Sequence, residues 1–228
     1  VTLGDFYVMM KNALFSGSYV QSSYGSEAEY VKTDRTLLNS IYDILYADGR
    51  IVRNDVTSLW SAENYRDSDV WLETGANKNI LKINVPNPSA IREDLGKSVR
   101  IYYKKNEETG AYDYVYHEIK KANNILSIKL EMIDNERTNL EKGTVSYYSE
   151  SDRRYNASLP SDVAIIYNGA AYKGSSFDFG AVSGKVGDVE LIDSDGDSRY
   201  ETVKITVYES IVAGVVSVSN NFISDKYN

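Results

Sequence analysis

Carboxylates recur at alternate positions in one short segment near the C-terminal end of the sequence. Counted from Asp193 as position one, the acidic residues Asp193, Asp195, Asp197 and Glu201 stand at positions one, three, five and nine. Hard cations such as calcium favour oxygen ligands at this spacing, and the backbone carbonyl of Arg199 at position seven could add another. The sequence therefore predicts a calcium site in this loop.

Two other interpretations of the same residues differ in their consequences. An EF-hand fits poorly, because that loop has Gly at position six and Glu at position twelve, where this chain has Ser198 and Lys204. The alternating residues Val203, Ile205 and Val207 also mark the flank as a strand rather than a helix. Asp, Ser and Gly are common in tight turns, so an acidic hairpin without a bound ion stays open as an alternative.

The acidic segment also carries a family resemblance. The stretch VELIDSDGDSRYETVKITVYESIVAGVV, preceded by DVAIIYNGAAYKG, resembles the β-rich modules that follow S-layer homology domains in surface proteins of Gram-positive, clostridia-like bacteria. Ser198 and Glu201 stand where the pattern of those modules has Gly and Asp. A weaker likeness extends to TLLNSIYDILYADGRIV and LGKSVRIYYKKNEETGAYDYVYHEI. The resemblance implies an extracellular or cell-wall location, with neighbouring modules, further copies of the chain or cell-wall polysaccharide as partners.

Composition limits the classes of function. A chain of 228 residues with 42% hydrophobic and 25% charged residues is typical of a soluble globular protein of one or two domains. The net charge of −8 argues against nucleic acid or an anionic membrane as the partner. The absence of cysteine excludes disulfides, thiolate catalysis and cysteine metal sites. No apolar run has the length of a membrane span.

The N-terminal part of the sequence predicts a helical pair. Thr2 followed by Asp5 is a capping-box pattern, and the helix that it begins should end near Gly17. The residues from Ser16 to Glu29 resemble a loop because they are rich in Ser, Gly and Tyr. A second helix is predicted from apolar residues at helical spacing, and it could instead run straight into a strand at Tyr46. Its apolar face comprises Leu37, Leu38, Ile41, Ile44 and Leu45.

The rest of the chain alternates with the period of β-strands. We predict a mainly β fold with a small N-terminal helical pair and two small antiparallel β units of barrel or sandwich type. The boundaries are 1–48 for the helical segment, 49–138 for the first β unit and 139–228 for the second. The first unit should include a hairpin across residues 106–110 and a strand at 125–130. The apolar segment after Ile205 should also join a sheet, in this chain or in a neighbouring copy.

Aromatic residues and the single histidine are the other candidates for a site. Trp60 and Trp71, with Tyr65 between them, could form an aromatic platform for sugar, or they could be half-buried strand residues. His117 is the only histidine and is predicted to be a surface strand residue. The sequence contains no nucleophile elbow, zinc-protease motif or phosphate-binding loop, so we predict that the chain is not an enzyme.

Together with the resemblance to surface-protein modules, these patterns predict a non-enzymatic structural or scaffold module of a bacterial cell-surface or extracellular assembly protein, with calcium as its stabilising ion. A binding module for cell-wall or dietary polysaccharide is the main alternative. A structural protein of a phage virion or tail is the third. Self-association or contact with neighbouring modules is the expected kind of partnership, with no nucleic acid and no membrane span.

Overall fold

The computed structural model describes residues 2–24, 27–61, 65, 67–208, 215–219 and 222–225. Strands predominate in this part of the chain, and its α-helices are α1 (Leu3–Leu14) and α2 (Leu37–Tyr42). The first eight strands are β1 (Gly17–Tyr24), β2 (Ala28–Thr36), β3 (Ile44–Arg53), β4 (Asp69–Thr74), β5 (Asn79–Asn84), β6 (Ser98–Lys105), β7 (Tyr112–Ile119) and β8 (Asn124–Lys129). The others are β9 (Thr144–Tyr148), β10 (Arg154–Ser158), β11 (Ala164–Tyr167), β12 (Ala170–Lys173), β13 (Gly187–Asp193), β14 (Thr202–Val207), β15 (Val215–Ser219) and β16 (Phe222–Asp225). The predicted mainly β fold with two N-terminal helices is confirmed.

The first helix begins where the sequence predicts it. The Thr2 hydroxyl accepts a hydrogen bond from the Asp5 backbone N–H at 3.2 Å, and the Asp5 carboxylate accepts one from the Thr2 N–H at 2.8 Å. The predicted loop from Ser16 to Glu29 is wrong, because β1 occupies most of it and pairs antiparallel with β2. The β-branched residues Val20 and Val31 lie directly across from each other, and such a pair favours the hairpin over a loop.

The second helix is shorter than its apolar pattern suggested. Asp43 ends α2 in the left-handed region, at a φ of 55°. Ile44 and Leu45, which the sequence assigned to the helix face, instead open β3. The boundary at residue 48 therefore falls inside a strand, and the alternative of a helix that runs straight into a strand was nearer to the structure.

Five strands of the first β unit close into a barrel in the order β3-β4-β5-β7-β6. All neighbouring pairs are antiparallel except β5 and β7, which are parallel and meet at Asn84 and Asp113. The hairpin predicted across residues 106–110 is confirmed as β6–β7. The barrel interior is filled by fully buried aliphatic side chains, among them Ile51, Leu72 and Ile101.

The second β unit contains a five-stranded sheet in the order β12-β11-β14-β13-β8. Because β8 pairs with β13, the assignment of residues 125–130 to the first unit is wrong, and the 138 boundary separates paired strands. This pairing sets Leu126 opposite Leu191 and Ile128 opposite Val189, so apolar side chains meet across the two strands. The pair β11 and β14 is parallel, so the unit is not purely antiparallel. β9 and β10 form a separate two-stranded sheet.

Strand β11 stands between the two hydrophobic cores. Ile166 belongs to the barrel core, together with Ala164 and Ala171 from the same sheet. Its neighbour Ile165 belongs to the second core, with Leu191. Successive residues of a strand point to opposite faces, so one face of the sheet closes the barrel unit and the other covers the second core. The two units therefore share a wall.

The C-terminal strands β15 and β16 form an antiparallel hairpin, and they pair with no other strand of the described chain. The prediction that the segment after Ile205 forms sheet therefore holds for Val207 at the end of β14 and for residues 215–219. Residues 209–214 lie outside the described residues. No helix of the described chain is long and apolar enough to cross a membrane.

The shared wall generates a prediction about stability. Ile166→Ala should lower the free energy of unfolding by about 2–4 kcal/mol, because it leaves a cavity where the sheet packs on the barrel. Ile125→Ala, on β8 of the same sheet but exposed, should cost less than about 1 kcal/mol. Urea denaturation measures both. An equal loss in the free energy of unfolding for the two variants would contradict the packing of this sheet on the barrel.

Candidate metal centre

The acidic loop joins the two strands at the centre of the five-stranded sheet. β13 ends at Asp193 and β14 begins at Thr202, and the ladder between them closes with Ile192 opposite Thr202. β11 flanks β14 on one side and β8 flanks β13 on the other, so both ends of the loop are held by paired strands. The hairpin that the sequence predicted here is confirmed.

The fold brings all four predicted carboxylates together. One carboxylate oxygen from each of Asp193, Asp195, Asp197 and Glu201 can be chosen so that the four lie within 4.8 Å of one another. Asp193 is buried, Glu201 is half-buried, and Asp195 and Asp197 are exposed. Four oxygen atoms this close together could hold a metal ion.

Hydrogen bonds to the backbone fix the path of the loop. The two oxygens of Asp193 accept from the N–H groups of Gly196 at 2.6 Å and Ser198 at 3.0 Å. Asp195 and Asp197 each accept from the N–H two residues further on, at 3.1 and 2.7 Å. Gly196 and Ser198 both have positive φ, at 83° and 71°. These contacts are the turn chemistry of Asp, and they satisfy the ion-free interpretation as well.

The charge of the loop favours a cation. Burial raises the pKa of the Glu201 carboxyl, and the negative charge of the nearby Asp195 raises it further. Glu201 also accepts hydrogen bonds from the Ser194 N–H at 2.9 Å and the Ser194 hydroxyl at 3.0 Å, and these oppose the increase without cancelling it. Within the described residues, none of the four carboxylates forms a salt bridge with Lys or Arg. The carboxylates therefore repel one another without an ionic partner from the described chain.

Two lysines that are close to the loop in the sequence form hydrogen bonds with residues outside the loop. Lys204 donates to the Glu93 carbonyl at 2.7 Å, and burial lowers its pKa. Lys185 donates to the Tyr167 hydroxyl at 3.3 Å. Arg199 lies in the loop, where its backbone N–H donates to Asp197, and its role as a carbonyl ligand stays a prediction.

A cavity of about 320 Å³ opens between the acidic loop and the barrel. Asp195, Asp197 and Glu201 line one side of it. The barrel side includes Trp60 and the partly buried ion pair of Arg50 with Glu73, whose atoms are 3.3 Å apart. An ion held by the loop would lie beside this cavity.

The aromatic trio does not form one platform. Arg53 is buried, and its guanidinium carbon lies 3.8 Å from the centre of the Tyr65 ring and 4.7 Å from that of Trp71. Lys82 lies over Trp71 as well, at 4.6 Å. Trp60 contacts Trp71 at 6.5 Å between centroids and keeps 46% of its surface exposed. Trp71 and Tyr65 thus pack on a buried cation, and Trp60 alone of the three lies open.

The prediction that His117 is a surface residue is wrong. Its imidazole is only 11% exposed and bridges Asp94 and Tyr114, with both hydrogen bonds at 2.8 Å. Burial would raise the pKa of the Asp94 carboxyl, but hydrogen bonds from His117 and Lys97 outweigh it and lower that pKa. Asp94 therefore stays ionised and accepts only, so in the neutral imidazole Nε2 donates to it and Nδ1 accepts from Tyr114. Asp94 is 23 residues from His117, so spacing along the sequence gave no signal for the contact.

This cluster generates a pH-dependent prediction. Asp94→Asn should lower the free energy of unfolding at neutral pH by about 1–3 kcal/mol, because it removes the anion that His117 and Lys97 share. The pKa of Asp94 is lowered in the folded state, so its contribution is present above the unfolded pKa, near 4, and is lost as the pH falls through the folded pKa. Chemical denaturation from about pH 7 to pH 3 measures it.

The matched control for Asp94→Asn is Glu107→Gln, which changes an exposed acid of the β6–β7 turn. The control should leave stability nearly unchanged at every pH. A parent and an Asp94→Asn variant that differ by the same amount at pH 7 and pH 3 would contradict the assignment.

Comparisons with protein-family models, with curated proteins and with solved structures give no match for this chain. The resemblance of the acidic hairpin to surface-protein modules therefore stays a prediction. What the chain does has to be argued from the contacts of its own residues.

Proposed function

We propose that this chain is a non-enzymatic structural module of a bacterial cell-surface or extracellular assembly protein, and that calcium stabilises it. The observation that carries the proposal is the convergence of four carboxylates on one loop, with no salt bridge to any cationic side chain of the described residues. A divalent ion would offset that repulsion and tie the ends of β13 and β14 together.

The site suits calcium better than a softer metal. All four side chains offer oxygen, which hard cations prefer, whereas zinc and copper sites in proteins usually include nitrogen or sulfur ligands. Two of the four acids, Asp195 and Asp197, are exposed, so their side chains can adjust to the irregular geometry that calcium accepts. The affinity should lie in the weak extracellular range, roughly 10⁻⁴ to 10⁻³ M.

The position of the site supports a structural rather than a catalytic role. β13 and β14 carry fully or almost fully buried residues of the second core, among them Leu191, Val203 and Ile205. Closing the loop with an ion would therefore stabilise the sheet that also walls the barrel. An ion bound in this way would stabilise the folded state, and calcium is plentiful in the extracellular compartment proposed for this chain.

Calcium should raise the melting temperature of the protein. At about 10 mM calcium, mass action with the expected affinity gives a stabilisation of about 1.5–3 kcal/mol, or a shift of about 3–10 °C for a chain of this size. Calorimetric titration and thermal unfolding in calcium against chelator measure the binding and the shift. Asp195→Ala should abolish most of both, because it removes an exposed ligand without touching the core.

Asp162→Ala is the matched control, because Asp162 is an exposed acid that lines the same cavity without belonging to the four. It should keep the full calcium shift. No heat of binding and no shift in the parent protein would reduce the loop to a polar turn.

Glu201 separates calcium binding from fold stability. Glu201→Gln keeps an oxygen that can accept from Ser194 and removes a half-buried charge. In chelator the variant should be at least as stable as the parent, because a neutral amide costs less to bury. In calcium its shift should fall by roughly half or more, because one anionic ligand is lost. A variant that is destabilised equally in both conditions would contradict the role of Glu201 as a ligand.

Polysaccharide binding is the second candidate function, and the exposed ring of Trp60 is the observation that favours it. Trp60 lines the cavity beside the acidic loop and also a second one of about 340 Å³, which Tyr172 and Lys173 help to line. A flat apolar ring beside depressions that carry both apolar and polar groups suits a sugar chain, whose rings present both C–H faces and hydroxyls.

Titration calorimetry with soluble glucose and N-acetylglucosamine hexasaccharides tests this candidate. If it is right, Trp60→Ala should weaken binding at least about tenfold, a loss of about 1.4 kcal/mol. Tyr155→Ala should leave it unchanged, because Tyr155 is exposed to the same 46% elsewhere on the surface. No binding by the parent protein, or equal loss in both variants, would leave the structural role as the only proposal.

A further inference from the structure

The segment formed by α1, the β1–β2 hairpin and α2, here called the N-terminal arm, exposes an unusual amount of apolar surface. Among its described residues only Ser18 and Leu38 are buried. The helix α1 exposes six large apolar side chains, which are Leu3, Phe6, Tyr7, Val8, Met9 and Met10. A segment of a soluble protein with so few buried contacts is expected to be covered by something else.

The helix α1 is apolar on more than one side. Tyr7, Val8 and Met9 are consecutive, so they point about 100° apart around the helix axis, and they are 62%, 60% and 62% exposed. The two charged residues of α1 are used locally. Asp5 caps the helix, and Lys11 forms an ion pair with Glu118 of the barrel at 3.4 Å. Helices that are apolar all round are normally buried.

The β1–β2 hairpin has the same character. Val20 lies opposite Val31, while Tyr19 and Tyr30 are the neighbouring residues and therefore point to the other face. All four side chains are exposed. The hairpin pairs with no further strand of the described chain, and an isolated pair of strands is only marginally stable. Its two open edges favour the addition of another strand.

The base of the arm is nevertheless held in a defined shape. The buried Ser18 hydroxyl is hydrogen bonded to the Thr33 hydroxyl at 2.5 Å and accepts from Ser40 of α2 at 3.0 Å. An apolar groove of about 420 Å³ remains between α1 and the outer wall of the barrel, with Met10 and Leu14 on one side and Tyr102 and Val115 on the other. A groove of this size can receive apolar side chains from a partner, as the central pockets of protein interfaces do.

We propose that the N-terminal arm is the surface through which two copies of this chain associate. The inference rests on the proposed structural function and names its partner. Twelve large apolar side chains of the arm are exposed. At roughly 80–100 Å² each they expose on the order of 1,000 Å² in total, so a partner that packs on both faces of the arm would bury about the 800 Å² per partner that is typical of a stable interface.

The distribution of charge favours association of two copies through their arms rather than through other parts of the surface. Residues 3–42 contain four acidic and three basic residues, a formal charge of −1, whereas the whole chain carries −8. Two copies would therefore repel each other least where their arms meet. In a two-fold dimer the same patch lies on both sides of the interface, so each arm can cover the apolar surface of the other and pair with its open strand edge.

Sedimentation analysis of the 228-residue chain between about 1 and 100 µM tests the proposal. The parent protein should be a dimer or larger at the upper end of this range. The double variant Val20→Asp, Val31→Asp should dissociate at least about tenfold more readily, because it places four charges in the interface of a dimer. Val186→Asp is the control, since Val186 is 60% exposed but lies outside the arm, and it should associate like the parent.

A monomeric parent at 100 µM, or a control as disruptive as the arm variant, would overturn the proposal. Hydrogen exchange gives a second readout that needs no variant. Amides of β1 and β2 should become more protected as the protein concentration rises. Protection that is independent of concentration in a protein that sediments as a monomer would mean that the chain covers its own arm, and a monomer that binds phospholipid vesicles would mean that lipid covers it. Either result rejects a second copy as the occupant.

These outcomes are separable from failure of the proposed function. A monomer that still shows the calcium-dependent melting shift loses its interface and remains a calcium-stabilised module. A dimer without that shift would support the interface and contradict stabilisation by calcium. The melting shift also serves as the folding check for the arm variant, because the acidic loop lies in the second sheet, which β1 and β2 do not join.

Discussion

The antiparallel pairing of β13 with β14 is the interaction on which most of this molecule depends. These two strands lie inside the five-stranded sheet, where β11 pairs with β14 on one side and β8 pairs with β13 on the other. β11 in turn supplies Ile165 to one core and Ile166 to the other. The loop that closes the same pair gathers four carboxylates. Electrostatic repulsion is therefore concentrated at the point where the sheet is joined, and a bound cation would act on the stability of both units.

Local sequence patterns predicted most of the caps, turns and strands, but they did not predict which distant strands pair with each other. The Thr2 and Asp5 cap, the β6–β7 hairpin and the acidic turn all depend on residues close together in the chain, and each was predicted. The pairing of β8 with β13 joins residues about 60 positions apart, so no local pattern revealed it. The β1–β2 hairpin was missed because Ser and Gly suggested a loop, although the Tyr and Val residues of the same segment favour strands.

The candidate site shows the same division. The four carboxylates lie within one loop, so their spacing predicted that they would converge. His117 was misjudged, because its partner Asp94 comes from a distant turn and only the fold brings them together. The aromatic trio was separated by Arg53, a buried cation whose position over Tyr65 and Trp71 follows from tertiary packing. Trp60 is left as the one open ring of the three, and the exposed arm adds a surface that the helical pattern of α1 did not reveal.

Calcium binding by the acidic loop is the proposal on which the structural role depends. A crystal structure of the protein grown in calcium chloride, with the ion identified by its anomalous scattering, tests it directly. We expect one strong peak enclosed by Asp193, Asp195, Asp197 and Glu201, with oxygen ligands at about 2.3–2.6 Å. A loop that contains only water at saturating calcium, with the carboxylates satisfied by backbone N–H groups alone, would contradict it.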